Sequence, residues 1–116
     1  MPYYVYILKC SDNSYYTGVS RDPLIRTYHH NYGIIKGYTS KRLPVILVFS
    51  EGFNQVYDAI SAEKQIKRWS RAKKEALISG DIELLKFLSR SRTKSHGSSG
   101  SPRQKYSPPF SKGGDS

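Results

Sequence analysis

At 116 residues, with its apolar positions concentrated before about residue 88, the chain has room for one small core, which excludes a deep pocket and favours a shallow groove suited to a polymer. A formal net charge of +10 and a pI near 9.8 make polyanions the first partners to consider, either nucleic acid or an acidic membrane surface. The lone cysteine, Cys10, excludes an internal disulfide framework and a cysteine-rich zinc site; with no apolar run of the roughly 18 residues that span a bilayer, and no basic-then-apolar leader, the cytoplasm is the expected location.

The first element is Tyr3-Tyr4-Val5-Tyr6-Ile7-Leu8, rich in β-formers and apolar on both alternating faces, as a strand covered on both sides requires. Ser11-Asp12-Asn13-Ser14 supplies turn chemistry, so Tyr15 to Val19 should return as the second strand of a hairpin. Asp22-Pro23 is a capping residue followed by the residue favoured at the first helical position, and Gly33 is a natural stop, which predicts a helix at about 23–32. A polar, basic connection from Lys36 to Arg42 precedes a third strand, Val45-Ile46-Leu47-Val48-Phe49. From about Tyr57 the pattern turns helical, with Ile60, Ile66 and Trp69 facing inward, and it continues through Arg71 to Ser79 until Gly80. Asp81 can cap a last short helix carrying Leu84, Leu85 and Leu88.

The order is ββαβαα: an α+β fold in which helices pack on a three-stranded, mainly antiparallel sheet. From Ser89 the composition shifts to Ser, Gly, Pro, Arg and Lys, so the domain is expected at 1–88 and a disordered basic tail at 89–116.

Sorting side chains by what phosphodiester cleavage needs, a base, a cation binder and a phosphate donor, brings five forward: Tyr6, Tyr16, Arg26, His30 and Glu63. Arg26 and His30 are four apart on the first helix, so a guanidinium and an imidazole share one face. Glu63, on the next helix, can offer its carboxylate to Mg²⁺ or Mn²⁺. The cations Lys36, Lys41 and Arg42 in the basic loop, and Lys64, Lys67, Arg68, Arg71, Lys73 and Lys74 on the helical stretch, are candidate phosphate contacts. Taken singly, each has an ordinary explanation: a packing tyrosine, a solvated helix face, or an i,i+4 pair between Glu63 and Lys67.

Jointly, Tyr4-Val5-Tyr6 on the first strand, Tyr16-Thr17-Gly18 on the second, Arg26 ten residues later, His30 one turn beyond and Glu63 on the following helix resemble the GIY-YIG nuclease superfamily. The small standalone bacterial group, similar to the nuclease domain of the bacterial excision-repair endonuclease, shares segments like Arg42-Leu43-Pro44-Val45, Glu63-Lys64-Gln65-Ile66-Lys67 and Trp69-Ser70-Arg71, and the likeness covers about residues 2–88. Tyr4 stands in place of the first glycine and Thr17 in place of the isoleucine, and no asparagine follows Asn54 where several members carry one.

The resemblance implies an endonuclease acting on nucleic acid, DNA ahead of RNA, in repair or recombination. It implies Tyr6 as general base, Tyr16 orienting the water, Arg26 and His30 at the phosphate, and Glu63 on one divalent ion. Two other readings stay open at this point. One is a nucleic-acid-binding module that keeps the fold without cutting. The other, a cationic protein on an acidic membrane, lacks a helix that pairs a broad apolar face with a basic one.

Overall fold

A computed structural model describes residues 1–95, with side chains through residue 90. The chain divides into two compact units, Met1–Lys67 and the part from Arg68 onward.

The first unit is built on a three-stranded antiparallel sheet in the order β2-β1-β3, formed by β1 (Tyr3–Lys9), β2 (Tyr15–Ser20) and β3 (Ile46–Phe53). β1 takes the centre, where Val5, Tyr6, Ile7 and Leu8 are all buried. Its hairpin to β2 closes with the chemistry expected of Asp12: the carboxylate accepts both the amide and the hydroxyl of Ser14, while Asn13 takes a positive φ of 69°. β3 runs four residues past the expected end at Phe49, and Val48 is an extra residue between the pairs Ile7–Phe49 and Leu8–Leu47, a bulge against the central strand. Cys10 is a buried free thiol, packed with Tyr6, Leu8 and Val45.

Helix α1 (Pro23–Asn31) starts where the sequence sets it: the Asp22 carboxylate accepts the Ile25 amide at 3.1 Å, and Pro23 opens the first turn. At its other end Asn31 grips the start of β3, donating to the Val45 carbonyl at 2.9 Å and accepting the Val45 amide at 2.7 Å. This pair of hydrogen bonds ties the last turn of α1, which carries His30, to the start of β3. The basic connection then forms a single 3-10 turn (Tyr38–Lys41), and α2 (Val56–Lys67) packs on the strands through buried Ala59, Ala62 and Ile66. Its small residues let the helix approach the sheet closely.

In the second unit, α3 (Arg71–Ser79) packs with α4 (Ile82–Ser95). The helical stretch read as continuous from Tyr57 to Ser79 is in fact broken before Ser70, whose hydroxyl accepts the Lys73 amide at 3.2 Å and starts α3 anew. Gly80 ends α3 in the left-handed conformation at φ 78°, and Asp81 caps α4 through the Leu84 amide. Of the three leucines expected to anchor the last helix, Leu85 is buried and Leu84 is exposed. α4 is longer than expected and takes in residues 89–95 of the predicted tail; the rest of that tail, 96–116, lies outside the described residues.

Candidate active site

Tyr6 sits at the middle of the central strand, and its cross-strand partner on β2 is Gly18. A β-carbon at Gly18 would lie 2.6 Å from the Tyr6 hydroxyl oxygen, so only glycine lets the phenol lie across β2 there. The ring reaches the end of α1, where the Tyr6 hydroxyl stands 3.2 Å from His30 Nε2. The other ring nitrogen, His30 Nδ1, stands 2.6 Å from the hydroxyl of Thr39 in the 3-10 turn. Tyr6, His30 and Thr39 are each at most 2% exposed, so three polar side chains from three elements form one line inside the fold.

Tyr16 completes the cluster. Its ring packs edge-on against the His30 imidazole at 5.2 Å between centroids and lies 6.3 Å from the Tyr6 ring. On its outer side Tyr38 stacks on Tyr16, and the Arg42 guanidinium lies 3.8 Å over the Tyr38 ring. Arg42 also binds Asp12 at 3.0 Å and the Tyr38 carbonyl at 2.7 Å. The cation that the sequence offered as a phosphate contact is therefore engaged within the protein, pinning the turn that carries Thr39.

The charges around this line have opposite signs. Burial pushes the Tyr6 phenol well above its ordinary value; Tyr16 and the Glu63 carboxylate add to that shift, and the Arg26 guanidinium opposes it. Burial likewise holds His30 below the usual imidazole range, with Arg26 and His29 pushing the same way. Both groups are accordingly neutral near pH 7. Arg26, half-buried one turn before His30, and Glu63 on α2 thus act on the same hydroxyl from different elements. The Glu63 carboxylate, one-fifth exposed, meets Lys67 Nζ at 2.9 Å.

Of the residues singled out from the sequence, Tyr6, Tyr16 and His30 are brought into contact, and Arg26 and Glu63 stand within electrostatic reach of Tyr6. Lys36, Lys41, Lys64 and Arg68 are exposed; Lys67 and Arg71 are exposed as well, but paired with Glu63 and Glu75. Lys73 departs from the expected solvent-facing cation: it is buried with its ammonium 4.5 Å from the Trp69 ring centroid. Lys74 is partly buried, and that burial pulls its ammonium below the ordinary lysine range.

Sequence reasoning passed over Thr39, because a buried hydroxyl inside a polar loop carries no local signal. It also passed over an open cleft of about 620 Å³ beside Arg26, lined among others by Tyr3, Arg21, Ile25 and His29. There Arg21 donates to the Tyr3 hydroxyl at 2.8 Å and lies 4.7 Å from that ring's centroid, with Asp22 lining the same cleft.

The profile of the GIY-YIG catalytic domain matches residues 2–76 of the chain. A UPF0213 protein of Streptococcus pneumoniae is 41% identical over 90 residues, which cover 76% of this chain and 91% of that protein. A UPF0213 protein of Halobacterium salinarum is 44% identical over 76 residues, covering 66% of this chain and 99% of its own. Among solved structures, the solution NMR structure of a protein from E. faecalis superposes with a TM-score of 0.51 at 34% identity, covering 71% of this chain and 88% of that one. With the profile spanning most of the described residues, and a relative covered over 91% of its length, the chain belongs to the GIY-YIG catalytic domain family.

Proposed function

We propose that this protein is a metal-dependent endonuclease that hydrolyses a phosphodiester bond of nucleic acid, DNA ahead of RNA, selecting its target by structure rather than by base sequence. The observation that carries this reading is the buried hydrogen bond between Tyr6 and His30, with the charges of Arg26 and Glu63 both acting on the Tyr6 hydroxyl. Packing alone asks for apolar groups in such a place. A surface that only bound phosphate would gain nothing from Glu63, because an unneutralised carboxylate repels the ligand.

In this mechanism Arg26 holds a non-bridging phosphate oxygen and stabilises the charge that builds on it. The Tyr6 oxygen takes a proton from the attacking water as its own proton passes to His30 Nε2, 3.2 Å away. The hydroxide forms the new P–O bond, the bond to the leaving oxygen breaks, and solvent returns a proton to that oxygen. Moving the proton onto a neutral imidazole avoids a free phenolate, which burial makes costly. Tyr16, packed against His30, orients the water.

A single carboxylate suits a hard cation such as Mg²⁺ or Mn²⁺, which keeps several waters and takes its other ligands from phosphate. Among the described residues there is no cluster of three or more His, Cys, Asp or Glu, and Glu63, the carboxylate whose charge acts on Tyr6, would be the acidic ligand. Its carboxylate is one-fifth exposed and pairs with the Lys67 ammonium at 2.9 Å, a cation that a bound ion would have to displace or share. Held by Glu63, such an ion would polarise the phosphate and steady the leaving oxygen.

The substrate is read by its backbone. Arg21, Arg26 and His29 in the open cleft, with exposed Lys36, Lys41 and Lys64, supply phosphate contacts, and the basic tail adds affinity without sequence preference. So small a domain has little surface for base readout, which favours branches, flaps and nicks such as arise in repair or recombination. Among the described residues no helix is long and apolar enough to cross a membrane, and the proposed setting is the cytoplasm.

The test is incubation of the purified chain with labelled branched, nicked and single-stranded DNA, with and without Mg²⁺ or Mn²⁺. Cleavage that requires the metal supports the proposal. Binding with no cleavage under any of these conditions replaces it with the binding-module reading.

A further inference from the structure

We propose that Thr39 is a positioning residue of this centre: its hydroxyl oxygen accepts the Nδ1 proton of His30, 2.6 Å away, and so keeps Nε2 bare toward the Tyr6 phenol. The inference deepens the nuclease reading by assigning the imidazole tautomer on which the proton step depends.

Tyr6 is 2% exposed and remains a neutral phenol, so its proton needs an acceptor inside the fold. Among the described residues its hydroxyl has one hydrogen-bond partner, His30 Nε2. Two protons cannot share that contact, so Nε2 must be the unprotonated nitrogen and Nδ1 must carry the hydrogen. An N–H that is 1% exposed needs an acceptor in its turn, and Thr39, also 1% exposed, supplies it.

The other groups around the imidazole cannot do this. Arg26 has only donors, Tyr16 meets the ring edge-on, and Glu63 acts from the Tyr6 side. The protein also anchors Thr39 firmly: Arg42, held by Asp12, donates to the Tyr38 carbonyl, and the Arg42 amide donates to the Thr39 carbonyl at 2.9 Å. When His30 receives the phenol proton, the Thr39 oxygen is already in place to stabilise the imidazolium through Nδ1–H.

Nitrogen-15 NMR of the His30 ring, near neutral pH, tests this without any substrate. The wild type and Thr39→Ser should show Nδ1 protonated and Nε2 bare. Thr39→Val, nearly the same shape without the acceptor, should shift the ring toward the Nε2-protonated tautomer. In the cleavage assay Thr39→Val should lower kcat by roughly 10- to 100-fold with KM little changed, and Thr39→Ser should restore most of the rate. An Nε2-protonated His30 in the wild type overturns the proposal, even if Thr39→Val fails to fold. So does a Thr39→Val protein that keeps both the tautomer and kcat. A wild type that cuts nothing yet shows the Nδ1-protonated ring would leave the tautomer assignment standing and overturn only the nuclease reading.

Discussion

Two tyrosines of this fold, Tyr6 and Tyr38, lie on either side of Tyr16 and treat charge in opposite ways. Tyr6 is sealed against His30; both are held neutral by burial, and Arg26 and Glu63 act on the phenol through space. Tyr38 is 43% exposed and carries a cation directly on its face, the Arg42 guanidinium, which is also paired with Asp12. The first arrangement fixes where protons are, and the second fixes where a loop is. A proton route needs low dielectric and specified partners, whereas a surface clamp can rely on attraction that water and salt screen. Substitutions in the two regions should therefore fail differently.

The largest effect is expected at Arg26. Arg26→Ala removes the guanidinium that acts on both Tyr6 and His30 and should lower cleavage by about 10²- to 10³-fold, the usual cost of losing one transition-state donor, while also weakening nucleic-acid binding. Single-turnover rates and a binding titration on the same protein check both parts. Next comes Gly18→Ala: its methyl group would have to occupy space 2.6 Å from the Tyr6 oxygen, so chemical denaturation should show a loss of roughly 1–3 kcal/mol together with reduced cleavage.

The outer clamp should matter less. Arg42→Gln loses the ion pair with Asp12 but keeps the backbone hydrogen bond from residue 42 to the Thr39 carbonyl, so it should change the cleavage rate by no more than about fivefold, the scale of a partly exposed ion pair, with a larger effect at low salt than at high. A fall as large as that of Arg26→Ala would erase the distinction between the two regions. The smallest effect concerns pH and stability. Burial holds the His30 pKa below its unfolded value, so the unfolded chain binds the extra proton first. Stability should hold above about pH 6.5 and decline as pH falls through and below that value, and His30→Gln should flatten that part of a melting-temperature profile.

The elements whose signals are local were legible in the sequence. β-formers and turn residues announced the hairpin of β1 and β2, and Asp22-Pro23 placed the start of α1 where the structure has it. The break between α2 and α3 was not legible, because Ser70 caps a new helix inside a pattern whose spacing alone reads as continuous. For the candidate site, residue types and spacing brought out Tyr6, Tyr16, Arg26, His30 and Glu63, three of which the fold brings into contact. Thr39 stayed hidden because its partner lies on another element, and a loop hydroxyl gives no sign that it will be buried. Charge was equally unreadable: Arg42 and Lys73 look like free surface cations in the sequence, yet tertiary packing places the first against Tyr38 and Asp12 and buries the second near Trp69.

The most direct test of the account measures cleavage and affinity together for Tyr6→Phe and Glu63→Gln. Tyr6→Phe removes only the hydroxyl that meets His30, and Glu63→Gln keeps the shape but loses the charge that would hold the ion. The account predicts a rate loss of roughly 10²- to 10⁴-fold for Tyr6→Phe, a comparable or larger loss for Glu63→Gln, and nucleic-acid affinity that stays level or rises in the latter as repulsion is removed. Cutting at the wild-type rate by both variants would contradict it.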